Sequence, residues 1–113
     1  MYIKVNDIDL WYEMKGSGKP FILLHGNGES HEIFDTLTEE LSKKITVYAI
    51  DSRDHGKSTR TNKLSYEMLT EDVVSFINEL KLEKENHMSY VINSAKLYKI
   101  IEPFIENIYA AST

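Results

Sequence analysis

His25-Gly26-Asn27-Gly28 follows the apolar run Phe21-Ile22-Leu23-Leu24 and precedes residues of helical spacing. Glycines at such a turn let backbone N–H groups point into a cleft. The helix start adds positive potential. Donors placed this way hold the oxyanion that develops during acyl transfer. Taken alone, the pattern equally describes a tight turn with no ligand. A second stretch, Asp51-Ser52-Arg53-Asp54-His55-Gly56-Lys57-Ser58, ends in Gly-Lys-Ser after a strand. A phosphate-binding loop needs a glycine five positions before the second glycine, and Asp51 stands there instead. Nucleotide binding is therefore excluded. With no cysteine there is no disulfide framework and no thiolate metal site. Neither a metal nor a cofactor is expected.

The elements that position these residues are legible from periodicity. Ile3 and Val5, then Ile8, Leu10, Tyr12 and Met14, alternate as strands do, and Asn6-Asp7 suits a hairpin turn. Phe21–Leu24 and Thr46–Ile50 are continuous apolar runs, as buried parallel strands are. Ile33, Phe34, Leu37 and Leu41 recur at helical spacing with Ser30 as cap. Ser65 caps a second helix whose buried face is Leu69, Val73, Phe76, Ile77 and Leu80. A last helical pattern uses Val91, Ala95, Tyr98, Ile101, Ile105 and Ile108, with Pro103 expected to kink or break it. Strands alternating with helices predict a mostly parallel α/β sheet covered on both faces. The 113 residues form one domain, with no internal repeat.

Together the two motifs resemble the front half of an α/β-hydrolase. That family often shows D-x-R-G-H-G-x-S where this chain has Asp51–Ser58, and only Asp54 departs from it. The resemblance implies that the Gly26-Asn27-Gly28 loop supplies an oxyanion N–H, by position from Asn27. The family's nucleophile sits in a G-x-S-x-G elbow. None of the five glycines flank a serine at that spacing. The stretch Asn86–Val91 followed by Ser94–Tyr98 resembles the family's closing segment, where a loop carries the catalytic histidine and a final helix follows. On that reading His87 is the family's general base, and residues 1–113 are one domain internally deleted near 82–86.

The expected fold is thus a truncated hydrolase-like sheet: an N-terminal hairpin plus two parallel strands in the order 1-2-4-3, with helices on both faces. In the intact family the third strand pairs with the fifth. The first and last helices share one face, and the second helix lies on the other. Phe21–Leu24 would then become an apolar exposed edge and invite self-association.

The implied function is that of an ester or related acyl hydrolase by ancestry, without independent catalysis because the nucleophile and triad acid are missing. Two alternatives stand beside it. A partner subunit or fragment completes an enzyme acting on a small ester-like substrate, or the exposed edge serves a small interaction module. A net charge of −5 argues against nucleic acid. No run approaches the length of a membrane span. Nothing resembles a signal peptide, so a cytoplasmic location is expected.

Overall fold

The computed structural model describes residues 1–82 and 88–112. Strands β1 (Tyr2–Val5) and β2 (Ile8–Lys15) form the hairpin, with Val5 opposite Ile8. Asn6 and Asp7 at its tip have φ of 45° and 65°. A two-residue turn that follows the strand twist needs positive φ at both positions, and Asn and Asp tolerate it best among residues with a side chain. Strand β3 (Pro20–Leu24) runs parallel to β4 (Thr46–Ile50), and β2 pairs antiparallel with β4.

The sheet has a fifth strand. Ser89–Ile92 (β5) runs parallel to β3, with Leu23 opposite Val91, giving the order β1-β2-β4-β3-β5. This corrects the expectation of an open edge at Phe21–Leu24. Ile22 and Leu23 are wholly buried, and the β3 backbone is paired on both sides. Self-association through that strand has no surface to use.

Helix α1 (Asp35–Leu41) covers one face, where Leu23, Phe34, Val47 and Ala49 are buried together. A short 3-10 turn, His31–Phe34, precedes it, and the Ser30 side chain accepts from Glu32 N–H. The tighter turn shifts the helical phase. Phe34 and Thr38 face inward, whereas Ile33 and Leu37, expected on the buried face, are exposed.

Helix α2 (Tyr66–Glu79) covers the opposite face, with Ser65 accepting from Met68 N–H. Its Phe76 is wholly buried and meets Tyr12 edge-on at 5.1 Å between ring centres. Helix α3 (Ala95–Ser112) lies on the same face as α2. It runs through Pro103 rather than ending there. Proline removes one backbone donor and crowds the preceding turn. Leu97, Ile101 and Ile105 are nonetheless buried on both sides of it, so packing holds the helix together. The side chain of Ile108 lies outside the described residues.

The C-terminal block differs in two respects from what the sequence suggests. The resemblance implies a last helix on the face of α1, whereas α3 packs with α2. Val91, expected in that helix, lies in β5. The segment 89–112 is strand, turn and helix next to β3. The site of the expected junction, residues 83–86, lies outside the described residues. Among the described residues no helix is long and apolar enough to cross a membrane, and no cluster of His, Cys, Asp and Glu is suited to a metal.

Candidate active site

Parallel strands leave a crevice at their carboxyl ends, where their loops diverge. Here a cavity of about 230 Å³ opens there, lined among others by His25, Asn27, Ser52, His55, Tyr66 and Ser94. His25 follows β3, Ser52 follows β4, and Ser94 follows β5, so three adjacent strands deliver one polar residue each. Leu64, Leu69 and Leu97 supply the apolar wall.

The three residues expected to hold an oxyanion are not equivalent. Gly26 N–H donates to Glu29 Oε1 at 2.6 Å. Gly28 N–H donates to His55 Nε2 at 3.1 Å. Those two donors are committed within the protein, which removes Gly26 and Gly28 from the donor set. Asn27 is exposed between them, and among the described residues its N–H has no acceptor. Gly26 is required for packing: a Cβ there would lie 2.5 Å from the Asn93 carbonyl oxygen. Glu29 Oε1 also accepts from Asn93 Nδ2 at 3.0 Å, which ties this loop to the turn after β5.

Ser94 is the site residue that sequence reasoning missed. It stands between β5 and α3, the place of a strand-to-helix nucleophile, in the same cavity as Asn27. A search for flanking glycines passes over it, because Ile92 and Lys96 occupy those positions. The usable signal was topological: a strand, one serine, then a helix. The elbow geometry itself is not formed. An elbow serine sits on a strained turn, and Ser94 is not among the non-glycine residues with positive φ. Its Oγ accepts from Leu97 N–H at 3.2 Å, and its carbonyl accepts from Tyr98 N–H at 2.9 Å, as a helix cap does.

No described histidine is free to activate that serine. His25 Nδ1–H donates to Gly26 O at 2.7 Å, and its Nε2 accepts from Ser52 N–H at 3.0 Å. His55 Nδ1–H donates to Arg53 O at 2.9 Å, and its Nε2 accepts from Gly28 N–H. His31 Nδ1 is bound to Asp51 Oδ1 at 2.9 Å, and His31 is not among the residues that line the cavity. His87, expected as the general base, lies outside the described residues.

The Asp51–Ser58 segment is structural, as expected. Burial pushes the Asp51 carboxyl up, but hydrogen bonds from His31 and from Lys57 N–H outweigh it and hold the group below its usual range. Arg53 forms a buried two-bond pair with Asp72 on α2. Burial likewise favours the neutral form of His25 and lowers it from its ordinary value of 6.5.

Asp54, the one departure from the family motif, has φ 65°, where glycine is at ease. Its carboxylate accepts from Thr61 N–H, Thr61 Oγ1–H and Asn62 N–H, fixing the loop that leads to α2. Asp54→Gly is expected to change stability by no more than about 1 kcal/mol, because relief of the left-handed backbone offsets the lost bonds. Asp54→Ala keeps the strain and loses the bonds, and should cost about 2 kcal/mol. Urea melts of the two variants decide it. Equal losses would mean that the left-handed backbone is not strained.

A family model described as alpha/beta hydrolase fold matches residues 19–88. An AB hydrolase superfamily protein of Bacillus subtilis is 34% identical over 85 residues, covering 73% of this chain and 32% of its own length. A solved marine microorganism esterase is 40% identical, with a TM-score of 0.63, over 66% of this chain and 29% of that one. An epoxide hydrolase from Bacillus megaterium shares the fold with a TM-score of 0.83 at 24% identity, over 96% of this chain and 39% of that one. The chain spans about a third of the length of that Bacillus subtilis relative.

Proposed function

This chain belongs to the α/β hydrolase fold family, and on that premise we propose that it forms the oxyanion-side half of an acyl-hydrolase site and does not turn over esters on its own. One observation carries the reading. Ser94 and the open Asn27 N–H share a cavity, while both histidines lining it have their acceptor nitrogen occupied by a backbone N–H. A serine hydroxyl is a weak nucleophile without a base to take its proton. The ligand that suits the cavity is a small ester-like molecule, its carbonyl oxygen toward Asn27 and its acyl group against Leu69 and Leu97. We read residues 89–112 as the strand and helix that flank the nucleophile position, continuous with the preceding fold rather than joined to it across a deletion.

The test is turnover of a short-chain p-nitrophenyl ester by the purified chain. Losing a working triad costs about a million-fold in rate, and the oxyanion site and binding alone leave roughly a thousand- to ten-thousand-fold over water. Wild type and Ser94→Ala are therefore expected to show the same slow rate. Saturable turnover abolished by Ser94→Ala, or by a serine-directed phosphonate, would overturn the proposal.

The position of β5 favours a second reading, in which another polypeptide completes the enzyme. Among the described residues β5 pairs only with β3, so its outer side is open. Docking of a further strand there is the form that completion takes. Co-purification of a stoichiometric partner together with esterase activity would select this reading over the first.

A further inference from the structure

The two cavity histidines are arranged reciprocally. His25 belongs to the loop after β3, and its Nε2 accepts an N–H from Ser52 in the loop after β4. His55 belongs to the loop after β4, and its Nε2 accepts an N–H from Gly28 in the loop after β3. Each loop thus grips the other with a histidine. In both rings the second nitrogen, Nδ1, donates to a backbone carbonyl of its own loop, Gly26 O for His25 and Arg53 O for His55. The tautomer is fixed in both cases: Nδ1 carries the proton and Nε2 is the acceptor. The ring centres lie 5.0 Å apart.

An imidazolium has two N–H groups and no acceptor. Protonation at Nε2 would set an N–H against the N–H of Ser52 or Gly28, and place two like charges side by side. Both bonds exist only while both rings are neutral. Asn27 lies between the residues held by the two rings, so the position of its N–H depends on both.

We infer that His25 and His55 are positioning residues forming a two-way clamp that fixes the Asn27 loop over the cavity at neutral pH and releases it on acidification. The clamp acts on the loop whether or not the site turns over ester. The charged and titratable groups around it come from every enclosing element. Glu29 lies on the His25 loop. Asp51, Arg53 and Asp54 lie on the His55 loop. Tyr66 opens α2, and Lys96 on α3 stands 4.9 Å above its ring. Glu29 is engaged by Gly26 and Asn93, Asp51 by His31 and Lys57, Asp54 by Thr61 and Asn62, and Arg53 by Asp72. No carboxylate in this set is hydrogen-bonded to either ring; the charges of Asp51 and Glu29 favour the His25 imidazolium, but burial outweighs them.

The sign follows from the neutral requirement. Burial lowers His25 from its ordinary 6.5, so the unfolded or released loop binds protons more readily than the clamped one. The contribution of the His25 bond is complete above about pH 6.5 and is lost as pH falls below that value.

The experiment is amide exchange and imidazole nitrogen spectroscopy on the full 113-residue chain between pH 8 and pH 5. At pH 8 both Nε2 atoms should give the signal of an unprotonated acceptor. On acidification Gly28 and Ser52 should lose protection together, at least tenfold after correction for intrinsic exchange, while the amides of Ala49 and Phe76 keep theirs. In His55→Gln the side-chain oxygen accepts from Gly28 N–H without titrating, so Gly28 protection should no longer depend on pH. The inference fails if Gly28 and Ser52 are indifferent to pH in the wild type. It fails if the core amides are lost over the same range, which is global acid unfolding, or if either Nε2 is protonated at pH 8. Should His55→Gln not fold, the wild-type imidazole signals and the two amides decide the matter alone.

Discussion

Asp72→Ala is expected to remove a large part of the stability of this protein. Asp72 is almost fully buried on α2, and its carboxylate takes Arg53 Nε at 2.6 Å and a terminal guanidinium nitrogen at 2.8 Å. It also accepts from Asn6 Nδ2 at 3.0 Å, so one side chain joins the hairpin turn, the loop after β4 and α2. The alanine variant leaves the Arg53 guanidinium buried with no counter-charge. Breaking a buried pair from one side costs about 3–5 kcal/mol, a large part of the roughly 5–15 kcal/mol that holds a small domain together. The pair as a whole is worth far less, because desolvating two charges consumes most of their attraction. Arg53→Met combined with Asp72→Leu should therefore recover most of what Asp72→Ala loses. Urea unfolding of the three proteins checks both statements. A single alanine variant within about 1 kcal/mol of wild type would show that Arg53 finds water or another acceptor in the folded state.

Gly56→Ala is expected to be nearly as damaging, for a steric reason. Gly56 has φ 49°, and a Cβ there would stand 2.2 Å from Asp51 Oδ2. The carboxylate has nowhere to go. It is wholly buried, and its oxygens hold His31 N–H at 2.7 Å, His31 Nδ1 at 2.9 Å and Lys57 N–H at 2.9 Å. Left-handed backbone costs an alanine about 1–2 kcal/mol, and each bond lost by a buried carboxylate adds about 1.5–3 kcal/mol, so a total above about 3 kcal/mol is expected. Gly28→Ala is the internal control. Its φ is 78°, but nothing lies within 4 Å of the added carbon, so only the backbone term applies. The single tryptophan gives a second readout, because the Trp11 ring lies 4.4 Å from His31. Displacing Asp51 should change its fluorescence in Gly56→Ala and not in Gly28→Ala. Equal losses at the two glycines would show that the Asp51 network yields to the extra carbon.

The sequence and the structure diverge most at the C-terminal block, and the reason is a property of short segments. Four residues, Ser89–Ile92, carry too little periodicity to be told from the start of a helix. Their strand character comes from pairing with β3, with Leu24 opposite Ile92 and Leu23 opposite Val91. Once that pairing exists, Ser94 falls at a strand-to-helix junction and the supposed open edge disappears. Neither consequence can be read without knowing which strand is the neighbour. The same limit applies to α1, where a single 3-10 turn exchanged Leu37 for Thr38 on the buried face.

Local chemistry was read directly from the residues. Asn6-Asp7 set a hairpin because those two types accept left-handed backbone. Ser30 and Ser65 capped the segments they precede, because a serine oxygen satisfies a free helix N–H. Leu69, Val73, Phe76 and Ile77 faced one way because α-helices repeat every 3.6 residues. The glycine loop and the Asp51–Ser58 segment located the family and the end of the sheet where a site would form. Each of these depends on contacts within a few residues along the chain.

What only the tertiary structure decided is which polar groups in that site remain available. Gly26, Asn27 and Gly28 look alike as donors in the sequence. Their difference is made by Glu29 and by His55, the latter 27 residues away in sequence from the N–H it accepts. The histidines likewise look available until Ser52 and Gly28 are found on their acceptor nitrogens. Hydrogen bonds between loops far apart in the chain are satisfied only when the sheet brings those loops together. Residue type marks the candidates, and the sheet then commits some of them to structure and leaves Asn27 and Ser94 at the cavity.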